Sequence, residues 1–394
     1  MISWFASEGD EVNQTPVNAS PMNRVLLRTF AQPAKWYAIP SHLARMHIRS
    51  GIFSLPFEYP FTISGGRTKS EQPALLVCIA HEGKCGWGEA PAIRYYDIDL
   101  DVLQAKLHKA RPVLEALEFG QAPETLHLQW LEAFPNDPFL VCALDIAYWD
   151  LWAKHRNRPI NATWQTSVSG PLPASDYTLG IDPLPKMLQK MAEHPWPVYK
   201  VKMGFEGDLE WLDTLLKHSP AKFRIDVNAG WRRDEALRKV PHLDPNRIEF
   251  LEQPLDKTDW EGHALLRRIC PVPILADESC VHESDVDRCF EAFDGINIKL
   301  TKCGGITPAL RMIARARSLQ MKVMMGSMNE SSIGTAAIAQ FVPLLDFVDM
   351  DGPLLLHGDY ASGLSIQPTG CSLESPLGLG IEVYPDLLMH AFQA

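Results

Sequence analysis

Tyr199-Lys200-Val201-Lys202 opens the series that decides how this chain folds. It is followed by Arg224-Ile225-Asp226-Val227-Asn228, Glu249-Phe250-Leu251-Glu252-Gln253-Pro254, Leu275-Ala276-Asp277-Glu278-Ser279 and Asn297-Ile298-Lys299-Leu300. Steps of 24, 26, 25 and 22 residues separate Lys202, Asp226, Glu252, Asp277 and Lys299. A strand, a helix and two loops fill about that length, and parallel strands need such a crossover. Five consecutive βα units then each bring a lysine or carboxylate to one end of a common sheet. That is the layout of a (β/α)8-barrel site, where functional groups sit at strand C-termini. Three carboxylates between lysines suggest a hard divalent metal flanked by acid/base groups.

Outward from this series, the pattern predicts eight barrel strands, at 176–181, 199–203, 223–227, 248–252, 274–277, 296–300, 322–325 and 347–350. Helices fit between them, for example at 208–218, 234–240 and 306–319. Before the barrel, strand-like segments at 47–53, 74–80 and 85–89 alternate with turns at Gly65-Gly66 and Glu82-Gly83. From Leu100 to about His155 the period becomes helical, most clearly in the apolar run 141–152 with its two acids, Asp145 and Asp150. The fold class expected is α/β: a (β/α)8-type barrel with an N-terminal α+β capping domain. The divisions expected are an irregular extension over 1–45, a cap over 46–165, the barrel over 166–356, and a segment returning to the cap over 357–394. The extension carries four prolines and no signal-peptide pattern, and Met46 is an alternative start.

Bulk properties narrow the function. A net charge of −11 argues against nucleic acid or an anionic membrane as partner. The eight cysteines show no CxxC spacing, which argues against zinc or a redox dithiol and for reduced thiols in the cytoplasm. No apolar run approaches the roughly 20 residues of a membrane span. The partners expected are a small-molecule substrate and, as a possibility, further copies of the chain.

Lys200 and Lys202 are two apart on a strand and therefore share a face. Crowded positive charge and partial desolvation are expected to lower the pKa of one of them, making it a usable base. Asp226, Glu252 and Asp277, from three adjacent strands, suit the octahedral oxygen coordination of Mg²⁺. A single aspartate at such a place serves as readily as a helix cap. Three at this spacing favour the metal. Lys299 falls across the barrel from Lys202. Two bases on opposite walls with a metal between them suit removal of a proton from one face of a carbon and its return to the other. Lys302 reads as a snorkelling surface lysine. Asp349 and Asp351 add two carboxylates that either hold a substrate ammonium group or cap the next loop.

Together these motifs resemble the enolase superfamily, within its muconate-lactonizing subgroup, over about 46–388. Members of that superfamily use Lys or His bases with Mg²⁺ stabilising an enediolate, so this chemistry comes with the resemblance. Val348-Asp349-Met350-Asp351-Gly352 resembles the Asp-x-Asp motif of dipeptide epimerases, in which the acids bind the N-terminal ammonium of the substrate. The resemblance implies Lys202 and Lys299 as acid/base lysines and Lys200 as the partner of the substrate carboxylate. It implies one Mg²⁺ per subunit on Asp226, Glu252 and Asp277. The loop 61–67 is similar to that of L-Ala-D/L-Glu epimerases, which implies that Arg67 contacts a glutamate side chain. The implied activity is Mg²⁺-dependent epimerisation of a dipeptide at its C-terminal α-carbon, in peptidoglycan peptide metabolism. Ala229, where many relatives carry Gln, and the bulky Arg94-Tyr95-Tyr96 depart from the pattern.

The sister reactions on such a site are those of N-acylamino-acid racemase, o-succinylbenzoate synthase and muconate cycloisomerase. Their substrates offer no free ammonium to two acids. A Schiff-base aldolase would need one lysine and no metal. A non-catalytic barrel would not require both lysines and all three acids.

Overall fold

The computed structural model describes residues 45–63, 67–164 and 171–384, so the expected extension, but for Arg45, lies outside the described residues. The chain opens with three antiparallel strands, β1 (His47–Ile63), β2 (Arg67–His81) and β3 (Lys84–Pro91), in the order β1-β2-β3. The strand-like segments of the sequence lie inside them, but β1 and β2 run further. Their outer ends pair Phe61 with Lys69 and Thr62 with Thr68 beyond a register shift after Pro56. The start of β2, Arg67 to Gln72, is polar throughout, so hydropathy does not mark it; the end of β1 does alternate, with Phe57 and Phe61 buried, but Pro56 and Pro60 interrupt the run as a strand signal.

Helices α1 (Leu100–Leu114), α2 (Pro123–Ala133) and α3 (Pro138–His155) complete the cap. From Phe139 to Ala153 every residue of α3 is buried, as expected of a helix apolar all round. Strand β3 lies directly on it. A Cβ on Gly86 would stand 2.0 Å from the Ala147 carbonyl oxygen, and one on Gly88 1.9 Å from that of Ala143. Only glycine lets the two backbones approach so closely.

The barrel strands are β4 (Tyr177–Leu179), β5 (Val198–Lys202), β6 (Lys222–Asp226), β7 (Ile248–Glu252), β8 (Ile274–Ala276), β9 (Gly295–Ile298), β10 (Lys322–Gly326) and β11 (Phe347–Asp349). They form one parallel sheet in sequence order, and a bridge from Ser175 to Val348 brings its two edges together. Their near-continuous apolar runs reflect burial on both faces. All eight match the predicted strands to within two residues at either end. Between them run α4 (Leu184–Glu193), α5 (Asp208–His218), α6 (Arg233–Lys239), α7 (Trp260–Ile269), α8 (Val286–Ala292), α9 (Leu300–Cys303), α10 (Ile306–Ser318) and α11 (Ser332–Ala339). Buried Arg224 ties the closing edges. Its guanidinium donates to Asp176 at 2.8 Å, to the Val348 carbonyl at 2.6 Å and to Glu249 at 2.7 Å.

One apolar core runs through cap and barrel. The segment after β11 touches the cap again: Leu379 N donates to Asp150 at 2.8 Å and His357 N to the Pro56 carbonyl at 2.7 Å. We propose the division into cap (46–165), barrel (166–356) and returning segment (357–394) on this layout. No helix among the described residues is long and apolar enough to cross a membrane.

Candidate active site

Register does the first part of the assembly. Lys202 pairs directly with Asp226, and Asp226 with Glu252, so three neighbouring strands end in one charged layer. Lys200 lies one layer down, beside Thr178 and Arg224. Asp277 directly follows β8, and Lys299 directly follows β9 and stands at the N-terminus of α9. Asp349 ends β11, and Asp351 begins the turn after it.

These ends open into a cleft of about 420 Å³ lined by Lys200, Lys202, Asp277, Lys299, Asp349 and Asp351. The cap covers it with Phe61, Thr68 and Lys69 from the β1–β2 hairpin and with the helical turn Arg94–Tyr96. Asp226 and Glu252 are fully buried beneath the cleft. Arg67 opens β2, but its side chain lies outside the described residues.

Ammonium groups and carboxylates interlock at the cleft floor. Lys200 Nζ lies 2.8 Å from Asp349, 2.9 Å from Glu252 and 3.1 Å from Asp226. Lys202 Nζ is 2.6 Å from Asp226, and Lys299 Nζ is 2.9 Å from Asp277. On the sequence, crowding was expected to lower the pKa of Lys200 or Lys202; the structure instead raises Lys200, and it raises Lys299 as well. Burial pulls both down, but the facing carboxylates outweigh it, chiefly Asp349 and Glu252 for Lys200 and Asp277 for Lys299, so both are raised. The crowding is mutual: three carboxylates stand within 3.1 Å of the Lys200 ammonium.

Lys302 is the second correction. It is 1 % exposed, not at the surface, and its Nζ donates to Asp277 Oδ1 at 2.5 Å and to the Asp277 carbonyl at 2.6 Å. The signal was present: Lys302 is three residues past Lys299 on α9, hence on the same helical face. Between Lys299 and Lys302 the Asp277 carboxyl is held far below its usual range despite its burial.

The acids at the other wall differ from one another. Burial would raise Asp349, but Lys200 holds it down at about 2. Asp351 is pushed up to about 7 by burial and by Asp349, and accepts from Thr178 N at 2.5 Å. Asp176, which the sequence reading did not select, brings a carboxylate oxygen within 4.8 Å of one from each of them. It sits just before the first barrel strand, where a lone acid gives no pattern to read. Gln253 was also missed. Its buried Oε1 accepts from Asp277 N at 3.0 Å and Ser279 N at 3.1 Å, and so holds the loop that presents Asp277.

Asp226, Glu252 and Asp277 do not form so tight a group among the described residues, because lysines stand between them. The donor set nonetheless fits a hard cation. All three are carboxylates; buried Asn228 Oδ1 and Glu278 Oε2 accept no hydrogen bond, and Glu252 Oε2 faces the Lys200 ammonium at 2.9 Å. Lys200 Nζ, among Asp226, Glu252 and Asp349, already marks a place where positive charge is welcome.

Comparison with known proteins bears on the family and the fold. Residues 184–387 match the family model described as enolase C-terminal domain-like. The chain is 42% identical to the L-Ala-D/L-amino acid epimerase of Maribacter sp., over 84% of this chain and 98% of that one. It is 31% identical to the L-Ala-D/L-Glu epimerase of Bacteroides thetaiotaomicron, over 84% and 86%. The dipeptide epimerase of Cytophaga hutchinsonii, solved with Mg and D-Ala-L-Val, superposes with a TM-score of 0.81 at 26% identity, over 88% of this chain and 98% of that one.

Proposed function

The chain belongs to the enolase superfamily, and on that premise we propose that it is an isomerase that epimerises dipeptides at the α-carbon of the C-terminal residue. The observation that carries this is the pairing of two features in one cleft. Lys202 and Lys299 face it from strand ends four places apart in an eight-stranded barrel, and Asp349 and Asp351 line the same space.

In this reading Lys202 and Lys299 flank the α-carbon on opposite faces. One takes the α-proton on its Nζ while the other, as an ammonium, returns a proton to the opposite face; the reverse reaction exchanges their roles. Proton removal leaves the substrate carboxylate as an enediolate, whose charge Lys200 helps to balance. Lys299 can give up its proton and act as a base only when Asp277 turns to another cation, since Asp277 holds it as an ammonium here. One Mg²⁺ per chain, held by Asp226, Glu252 and Asp277, would supply positive charge that lowers the cost of forming the enediolate. Asp349 and Asp351 take the substrate's N-terminal ammonium; Asp349 Oδ1 is buried and has no hydrogen-bond partner. Arg67 is assigned to a side-chain carboxylate when the C-terminal residue is Glu. Tyr95 and Tyr96 also line the cleft and limit the room for substrate side chains. Eight cysteines without a disulfide support a cytoplasmic enzyme, and peptides released from peptidoglycan suit the L-Ala-D/L-Glu specificity.

The test is incubation of the Mg²⁺-loaded protein with L-Ala-L-Xaa dipeptides in D₂O, read by mass spectrometry and chiral separation. One deuterium should enter per epimerised C-terminal residue, and chelation should stop it. Absence of deuterium uptake from every dipeptide would sink the reading. Normal turnover of N-acetylated dipeptides would point instead to an N-acylamino-acid racemase.

A further inference from the structure

A second cluster of ligand-type side chains lies at the other end of the cap. Strand β2 ends at His81, a tight turn follows with Glu82 and Gly83 both at positive φ, and α3 ends at His155. One ring nitrogen from each histidine and one Glu82 carboxylate oxygen lie within 4.8 Å of one another. We propose that His81, Glu82 and His155 bind a divalent transition-metal ion of the Zn²⁺ kind, fastening the β2–β3 hairpin to the end of α3.

Three observations carry this. The donor set is two imidazoles and one carboxylate, which suits Zn²⁺, Ni²⁺ or Cu²⁺ and not the all-oxygen shell of Mg²⁺. His81 is 6% exposed, and its Nδ1 is buried without a hydrogen-bond partner. The tautomer of His155 leaves one ring nitrogen able to bind a metal. Its Nε2 lies 3.2 Å from the His81 carbonyl oxygen, which can only accept. Nε2 therefore carries the proton, and Nδ1 is left with its lone pair.

The surroundings are compatible with a metal. The Phe119 ring packs on both imidazoles, at centroid distances of 4.2 Å from His81 and 4.6 Å from His155. Lys84, the nearest cation on the hairpin, points its Nζ at the Lys154 carbonyl, 2.8 Å away. Glu82 is exposed, so its carboxylate can turn without leaving a buried donor unpaired. Three protein ligands leave a fourth tetrahedral position for water. The site is separate from the cleft: Phe139, near the start of α3, packs on cleft-lining Tyr96, and the 18 residues of α3 span about 27 Å at 1.5 Å per residue.

The test uses the full chain, reduced and saturated with Mg²⁺, titrated with Zn²⁺ by calorimetry and with Co²⁺ by visible absorption. One Zn²⁺ per chain should bind, with an intense tetrahedral Co²⁺ spectrum. His155→Ala should weaken binding about 100-fold and Glu82→Gln about 10-fold, while epimerase activity stays at the wild-type level in both. Zn²⁺ should raise the Tm of the wild type and not of His155→Ala. Glu82 is exposed, so its variant tests the site even if His155→Ala folds poorly. Absence of Zn²⁺ binding by the Mg²⁺-saturated wild type, or undiminished binding by Glu82→Gln, overturns the proposal.

Discussion

Two populations of buried carboxylates hold this molecule together, one satisfied chiefly by backbone N–H groups and hydroxyls, the other by lysines. At the seam between cap and barrel, Glu89 accepts from Ser331 N at 3.1 Å, Ser331 Oγ at 2.6 Å and Gly334 N at 3.1 Å, at the N-terminus of α11. Asp145 accepts from Thr307 N at 2.9 Å and Thr307 Oγ1 at 2.8 Å, at the start of α10. Asp150 accepts from Trp87 N at 3.0 Å and Leu379 N at 2.8 Å, and from the Lys154 ammonium one turn further along α3 at 2.7 Å. In the cleft, Asp226, Asp277 and Asp349 instead face lysines. Backbone N–H groups are fixed in place by secondary structure and cannot be exchanged. A lysine ammonium on a flexible stem can leave its partner when a metal or a substrate arrives. The seam acids build a rigid joint, and the cleft acids keep a site that can be reloaded.

This contrast can be broken at its strongest point first. Lys202→Ala and Lys299→Ala should each lower the epimerisation rate by on the order of 10³-fold, within the range for loss of a positioned acid/base group. Each variant should still exchange the α-proton of one epimer with D₂O, because the remaining lysine can remove and replace it. Normal epimerisation by either would show that these lysines only balance charge.

Lys302→Met asks whether a cleft lysine can also be structural. It removes a buried ammonium facing Asp277 but leaves Lys299 in place. Breaking one side of a buried ion pair costs about 3–5 kcal/mol, and the shared partner should keep this near the lower figure. Urea unfolding of the metal-free protein should show that loss, and added Mg²⁺ should recover part of it if Asp277 is a ligand.

Asp145→Ala sharpens the seam side. It strands Thr307 N and Oγ1, and should cost about 2–3 kcal/mol in stability, the scale of hydrogen bonds to a charged group. The rate per folded molecule should change less than about threefold, or under 1 kcal/mol. A large fall in kcat without a fall in Tm would mean that the seam transmits to the cleft.

The smallest expected effect separates the two populations by pH. Burial pushes the Glu89 carboxyl up to about 7 against the pull of its donors, from about 4.3 in an unfolded chain. The folded chain then holds a proton that the unfolded chain has released, so this contribution to stability falls as pH rises from about 4.3 to 7. Asp349, at about 2, behaves oppositely: its contribution is complete above the unfolded value of about 3.9 and is lost as pH falls towards 2. Glu89→Gln should flatten part of the loss between pH 5 and 7, leaving the share of Glu330, which burial also raises to about 7. Asp349→Asn should flatten the acid limb. Equal slopes in wild type and both variants would remove the distinction.

The sequence by itself determined the strand series, because a parallel barrel repeats one unit and each strand, buried on both faces, reads as an apolar run ending in a charge. From that repeat Lys202, Asp226, Glu252, Asp277 and Lys299 could be placed at one end before any contact was known. Asp145 and Asp150 stood out as acids in an apolar helix, yet their partners Thr307 and Leu379 lie 162 and 229 residues away, and no local pattern encodes such a pairing. Lys302 was misread because propensity puts a lone lysine at the surface, while a buried carboxylate beside it inverts that preference. Asp176 and Arg224 meet only where the barrel closes, and Tyr96 and Lys69 reach the cleft only because the cap folds over it. The tertiary structure alone decided which charges face which. Ion pairing is set by distances across strands, and those exist only once the sheet has closed and the cap has docked.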